Sequence, residues 1–295
     1  MKFVSFVAGD ESQHLGVVAD EVIIDVTAAG GPACLLEVIR NGAQGLASVR
    51  DALERASATT YMLPLNGVNY LPPIPNPDKF FCVGKNYRDH LDELVRTGLI
   101  KEVPQEPTGF IKLNSVMVGH CASVQRPPDI VQFDYEPELA FVISKPAYRV
   151  SKADAMKYVF GITVFNDLTA REIQKREVQS GTRFWTAKNM PGFGPIGPCV
   201  VTMDEISDVD DLWLTCTVNG EQRSRFNTSG QIFKIPDIIE HFSRYMPLHP
   251  GDIFATGSAG GIAAAQENAD ALYLKPGDVI DVAIENVVSL RTNIV

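Results

Sequence analysis

The segment FDYEPELAFVI, Phe133 to Ile143, sets carboxylates at alternate positions, Asp134, Glu136 and Glu138, and then runs into an apolar stretch. In an extended strand alternate residues share a face, so the three acids line one side while Tyr135, Pro137 and Leu139 line the other. Same-face neighbours two apart lie roughly 6–7 Å from each other. Two carboxylates at that distance repel by roughly 2–3 kcal/mol at an effective dielectric near 20. Three arrangements relieve the repulsion: a solvated face, one protonated carboxyl, or a cation held between Glu136 and Glu138. Pro137 cannot donate to a ladder, so the strand is expected to be an edge or to bulge there.

A further acid follows in GITVFNDLTAREIQ, Gly161 to Gln174, where an apolar strand gives way to a helix start and Asp167 sits at the junction. Asp167 is either the N-terminal cap of that helix or a third oxygen ligand. Three carboxylates with no His or Cys nearby point to Mg²⁺ or Mn²⁺ rather than zinc. In VGKNYRDHLDEL, His90 and Glu93 are three apart on a helix expected from Arg88 to Thr97, closed by Gly98. A histidine oriented by a carboxylate suits a general base acting on water; the alternative is a solvated helix of mixed charge. Lys188 lies in FWTAKNMPGFGPIGP, between aromatic residues and a Pro/Gly-rich loop. It is either a solvated lysine or one set to polarise an oxygen or hold a carboxylate. IFATGSAGGIA carries a strand end into a glycine-rich turn, either a surface loop or a set of backbone N–H groups suited to a carboxylate.

The elements that must position these residues are mostly short strands. KFVSFVA, HLGVVAD and EVIIDVT open the chain, followed by a helical stretch with apolar residues at Leu35, Leu36, Val38, Ile39, Val49 and Leu53. The proline-rich LPPIPNP, Leu71 to Pro77, forbids continued helix. It divides a small N-terminal α/β module, residues 1–72, from a main unit, residues 73–295. Asn219-Gly220 signals a type I′ hairpin, Pro250-Gly251-Asp252 and Pro276-Gly277-Asp278 read as tight turns before strands, and PDIIEHFSRYM is an amphipathic helix with Pro236 in its first turn. Regular βαβ alternation is missing, so the expected class is a strand-rich α+β fold.

Composition narrows the function classes. A formal net charge of −10 without any basic run argues against nucleic acid and disfavours anionic membranes. The five scattered cysteines show no CxxC pair, as expected for reduced thiols in the cytoplasm. The apolar opening is interrupted at Gly9-Asp10, too early for a signal peptide, and no run approaches the length of a membrane span. The chain has no GxxxxGK[ST] or GxSxG, which removes the common P-loop and hydrolase-elbow readings.

Taken in order, KFFCVGKNYRDHLDE, FDYEPELAFVI, NDLTARE, WTAKNMPGFGPIGP and DIFATG resemble the fumarylacetoacetate hydrolase superfamily, from about Pro75 to the C-terminus. The resemblance implies a roll of mixed β-sheets, a homodimer, and a small 2-oxo acid substrate. It assigns Glu136, Glu138 and Asp167 to a divalent metal, Mg²⁺ or Mn²⁺, and leaves Asp134 as a solvated neighbour. It makes His90 and Glu93 the dyad that activates water, and Lys188 the lysine that stabilises an oxyanion or enolate. Arg171, Gln174 and Thr256 become site-lining, substrate-binding residues. The implied reaction is hydrolysis of a C–C bond in an acylpyruvate-like β-diketo acid, with a metal-stabilised enolate as leaving group. Oxaloacetate-type decarboxylation, or isomerisation of an unsaturated 2-oxo diacid, needs the same site. A non-catalytic binding protein that kept the fold is the third alternative. The turn reads TGSAGGIA where members commonly read TGTPxGVG; that loop lies near the substrate in the family, so carboxylate binding and substrate choice are where this chain departs from the pattern.

Overall fold

A computed structural model of the protein describes residues 1–9, 11–56, 61–88, 104–181 and 185–295. The opening strands β1 (Lys2–Val7), β2 (Gln13–Ala19) and β3 (Val22–Asp25) form an antiparallel meander. Strand β4 (Met62–Pro64) pairs with β3, and β5 (Asn69–Leu71) pairs with β1. Helices α1 (Leu35–Arg40) and α2 (Gly42–Ala56) lie between β3 and β4 in the chain. They bury Leu35, Val38, Ile39, Val49 and Ala52 in a core shared with Phe3, Leu15 and Val17 of the strands. This is the period-3.6 stripe meeting the period-2 face.

The rest of the chain adds β6 (Phe80–Gly84), β7 (Thr108–Ile111), β8 (Met117–Val118), β9 (Ala122–Val124), β10 (Phe133–Asp134) and β11 (Pro137–Ile143). Beyond these come β12 (Val159–Asn166), β13 (Thr169–Ala170), helix α3 (Arg171–Gln179) and β14 (Gly194–Thr202). The C-terminal part comprises β15 (Trp213–Val218), β16 (Glu221–Asn227), helix α4 (Ile235–Tyr245), β17 (Ile253–Ala255), β18 (Val279–Ile284) and β19 (Val288–Ile294). A large mixed sheet runs β4-β3-β2-β1-β14-β12-β11-β17-β6-β7, a second runs β16-β15-β18-β19-β9, and β10 pairs with β13 in a two-stranded sheet. The N-terminal strands share the large sheet with the main unit through the β1–β14 pairing. The fold is therefore the strand-rich α+β roll that the sequence predicts.

The turns form as their residues require. Asn219 and Gly220 both take positive φ, 54° and 79°, as a type I′ turn demands, and join β15 to β16. Pro236 lies in the first turn of α4, which buries Ile238, Ile239 and Phe242. Phe242 closes a stack of rings with Phe81, Phe254 and Phe141, whose centroids are 5.2–5.6 Å apart. That cluster fixes β6, β11 and β17 side by side, and these strands carry much of the candidate site.

Two local expectations need correction. Asp167 does not cap a helix: α3 begins at Arg171 and its N-terminal flanking residue is Ala170. The Phe133–Ile143 segment is not one strand, because β10 ends at Asp134 and β11 starts at Pro137. Proline as the first residue of a strand loses no ladder bond. The backbone N–H of Glu136 instead donates to the Asn166 side chain at 2.9 Å. The helix expected from Arg88 to Thr97 lies, after Arg88, outside the described residues.

Candidate metal centre and active site

Register brings the acids together. Pro137 pairs with Asn166 and Glu138 with Phe165 across the β11–β12 ladder, and the Asp167 N–H donates to the Glu136 carbonyl at 2.9 Å. One carboxylate oxygen from each of Glu136, Glu138 and Asp167 lies within 4.8 Å of the others, and all three residues are buried. The solvated-face alternative for these acids is thereby ruled out.

Three cations surround the carboxylates. Lys188 Nζ donates to Glu136 Oε2 at 2.8 Å, Asp167 Oδ2 at 2.5 Å and Thr169 Oγ1 at 2.9 Å. Lys112 Nζ lies 2.5 Å from Asp167 Oδ1 and donates to the Phe193 carbonyl at 3.1 Å and to the Lys188 carbonyl. Arg171 Nη1 lies 2.7 Å from Glu136 Oε1 and donates to Gln174 Oε1 at 2.9 Å, while its Nε donates to Asp134 Oδ2 at 2.7 Å. Gln174 reaches Arg171 because residues three apart share a helix face. Arg171 Nη2 is buried without a hydrogen-bond partner among the described residues.

Electrostatics sort the roles. Burial pushes the Glu138 carboxyl well above the ordinary glutamate range; Asp167 and Glu136 add to the rise, and Lys188 and the Gly257 N–H oppose it. Burial would drive the Lys188 ammonium down, but Asp167 and Glu136 outweigh it and hold the group above the ordinary lysine range. Arg171 is likewise kept firmly protonated, its desolvation outweighed by Asp134 and Glu136. With no ion bound, Lys188 is therefore held as an ammonium by its two carboxylate partners.

The donor set fits a hard divalent cation. Ligands about 2.1 Å from an octahedral ion span at most roughly 4.2 Å across it, so oxygens within 4.8 Å need only small side-chain shifts. Four buried carboxylates, Asp134, Glu136, Glu138 and Asp167, accompany three buried basic side chains, Lys112, Lys188 and Arg171, so the carboxyl groups outnumber the cations by one. Oxygen ligands without nitrogen or sulfur favour magnesium or manganese over zinc.

The remaining predicted residues divide. Thr256 is buried beside the cluster, but its hydroxyl donates to the Leu139 carbonyl at 3.0 Å and accepts from Gln231 Nε2 at 2.9 Å, so its proton is spent within the protein. Next to it, the Gly257 N–H donates to Glu138 Oε2 at 2.8 Å. Gly257 has φ +91°, and a Cβ there would come within 2.8 Å of the Val83 carbonyl, so only glycine fits. His90 and Glu93 lie outside the described residues; the backbone leading to them is held by Asn86, which bonds both the N–H and the carbonyl of Phe233.

Asp134 is the clearest correction. Expected to be solvated, it is fully buried and accepts from Tyr135, Ala263 and Ala264 N–H groups as well as Arg171. Lys112 went unrecognised, although a lone lysine in the otherwise uncharged FIKLN is an available signal, since such a charge is buried only when paired.

Comparison with known proteins agrees with this geometry. The sequence profile described as fumarylacetoacetate (FAA) hydrolase C-terminal matches residues 79–295. The chain belongs to the fumarylacetoacetate hydrolase family. It is 36% identical over 293 residues to the Bacillus subtilis oxaloacetate tautomerase YisK, covering 94% of each chain. The fumarylacetoacetate hydrolase of the psychrophile Exiguobacterium antarcticum superposes with a TM-score of 0.80 at 32% identity, covering 100% of this chain and 99% of that one. The maleylpyruvate hydrolase of Sphingobium sp. SYK-6 superposes with a TM-score of 0.78 at 27% identity, with the same coverage.

Proposed function

We propose that the protein is a divalent-metal-dependent enzyme acting on a small 2-oxo acid, and that its central step interconverts the keto acid and its enol. The observation that carries this reading is the buried triad of Glu136, Glu138 and Asp167 with protonated Lys188 bonded to two of its members. Similarity to an oxaloacetate tautomerase favours a dicarboxylic substrate of that kind.

Removing a proton from the carbon beside a 2-oxo group moves an electron pair onto the 2-oxo oxygen. The site must hold positive charge there before the proton leaves, because preorganised charge costs no rearrangement during reaction. Held by Glu136, Glu138 and Asp167, Mg²⁺ or Mn²⁺ would supply Lewis-acid polarisation of that oxygen. Lys188, bonded to Glu136 and Asp167, adds an ammonium donor in the same buried pocket. Arg171 offers Nη2, which has no partner among the described residues, to a substrate carboxylate, with Gln174 holding Nη1. Thr256 contributes by fixing the end of β17, and Gly257 by orienting Glu138. His90, which with Glu93 matches the family's His-x-x-Glu pattern in sequence, is the group proposed to take up and return the proton.

A second reading is supported by the likeness to a maleylpyruvate hydrolase. If His90 activates water, attack on the distal carbonyl of an acylpyruvate breaks the C–C bond, giving a carboxylic acid and the enolate of pyruvate; decarboxylation of oxaloacetate gives that pyruvate enolate with loss of CO₂. The reading carries with it a homodimer in the reducing cytoplasm, in keeping with five free thiols and an acidic chain. Among the described residues no helix is long and apolar enough to cross a membrane.

The test follows oxaloacetate keto–enol equilibration by ultraviolet absorbance, beside a panel of acylpyruvates, with Mg²⁺ and Mn²⁺ in turn. Metal-dependent acceleration of equilibration is expected. Cleavage of an acylpyruvate without any effect on oxaloacetate would favour the hydrolytic reading. No turnover of any 2-oxo acid at saturating metal would refute both.

A further inference from the structure

Asp134 is built into the site without facing it. Its carboxylate has about four acceptor positions, and all are used: Oδ1 accepts from Tyr135 N at 2.9 Å and Ala263 N at 2.9 Å, and Oδ2 from Ala264 N at 3.0 Å and Arg171 Nε at 2.7 Å. The group therefore has no capacity left for a ligand, and a buried carboxylate so fully bonded is retained for what it holds. It joins three segments distant in sequence: the acidic run itself, the start of α3, and the short 3-10 turn Ala263–Ala265 that ends the TGSAGGIA loop. The other end of that loop is pinned by the Gly257–Glu138 bond.

The guanidinium is planar, so fixing two of its nitrogens fixes the third. Asp134 holds Nε and Glu136 holds Nη1, which sets the direction of the unpartnered Nη2 and confines Glu136 Oε1. Without Asp134, Arg171 is free to rotate onto Glu136 and compete for both of its oxygens.

We infer that Asp134 is a positioning residue that, through Arg171, holds Glu136 in the orientation needed for cation binding and keeps the loop at residues 257–264 in register with it. The inference rests on the metal-centre reading above. Once it is granted, the acidic run has a division of labour: Glu136 and Glu138 face the cation, and Asp134 fixes the frame.

Mn²⁺ binding to the full chain, by titration calorimetry after chelation, tests this. Asp134→Asn keeps the shape but sets an NH₂ group or a weaker oxygen against Arg171, and Mn²⁺ affinity should fall by about 10–100-fold, the usual effect of losing an outer-shell partner. In an Arg171→Lys background the further loss from Asp134→Asn should shrink below about twofold, since groups that act as a unit are not additive. Ala263→Pro deletes one N–H donor at the first position of the turn, where proline is tolerated. It should lower thermal stability and leave Mn²⁺ affinity within about twofold, which a merely structural Asp134 would not separate. Should Asp134→Asn fail to fold, Asp134→Glu, which moves the charge by one methylene, is read with the same outcomes. Mn²⁺ affinity unchanged in the Asp134 variant, or losses that simply multiply with Arg171→Lys, overturns the inference alone. A wild type that binds no Mn²⁺ overturns the metal centre and the inference with it.

Discussion

Replacing Glu138 with glutamine should stabilise the metal-free protein while abolishing its response to metal. The ligand oxygens of the triad lie within 4.8 Å of one another. At that distance and an effective dielectric near 20, each carboxylate pair repels by roughly 3–4 kcal/mol. Glu138 faces two such neighbours, and the Lys188 ammonium, bonded to both, offsets about one of them. The amide introduced by Glu138→Gln keeps an oxygen for the Gly257 N–H, so the removable repulsion is on the order of 3 kcal/mol. For a chain of this size that is a rise of roughly 5–10 °C in the unfolding midpoint under chelation. Mn²⁺ at a hundred times its dissociation constant stabilises wild type by about 2.7 kcal/mol and should leave Glu138→Gln unmoved. The pH dependence has a definite sign. The folded Glu138 carboxyl titrates above its unfolded value, so the folded state holds the extra proton. Chelated wild type therefore loses stability as pH rises from the usual glutamate range toward the raised folded value. The advantage of Glu138→Gln should shrink as pH is lowered toward that range. Scanning calorimetry with and without Mn²⁺ at several pH values reads all three effects. A Glu138→Gln protein less stable than chelated wild type, or one that gains as much from Mn²⁺, would refute the reasoning.

Three further outcomes are expected. Lys188→Met should cut turnover by about 10²–10³-fold, the usual loss for one preorganised donor, without weakening Mn²⁺ binding, because the triad becomes more negative; turnover above a tenth of wild type would remove Lys188 from the chemistry. Lys112→Met breaks the buried pair with Asp167 and orphans the Phe193 and Lys188 carbonyls, so stability should drop by about 3–5 kcal/mol, and a midpoint within about 2 °C of wild type would contradict that placement. Asp134→Asn should weaken Mn²⁺ by about 10–100-fold in calorimetric titration, and an unchanged affinity would count against it.

Much of this candidate site was legible because its acids are local in sequence. Spacing brings Glu136 and Glu138 together and leaves three arrangements open, and a strand end places Asp167 with two roles open, since alternation and chain direction are local properties; the family resemblance is what groups the three around a cation. The Asn219-Gly220 hairpin and the proline-led helix α4 were readable for the same reason. What could not be read depends on partners far away. Alternation groups Asp134 with Glu136 and Glu138, but the chain breaks between β10 and β11, and the cover over Asp134 comes from Ala263 and Ala264, some 130 residues on. Lys112 meets Asp167 and the Phe193 carbonyl only after β7 and β14 are in place. The proline-rich Leu71–Pro77 stretch signals a break in helix, yet nothing local reveals that β1 will pair with β14. Pro137 restricts the strand, and the exchange of a ladder bond for the Asn166 side chain needed both strands to be seen together.

The central claim is that the Glu136–Glu138–Asp167 site, with Lys188, promotes loss of a proton beside a 2-oxo group. Deuterium exchange at that carbon, followed by NMR with a 2-oxo acid in D₂O, measures this step whatever the later fate of the enol. The account predicts rapid exchange with Mg²⁺ or Mn²⁺, lost on chelation and lost in Glu138→Gln even with metal restored. Exchange that survives chelation, or that persists in Glu138→Gln, would contradict it.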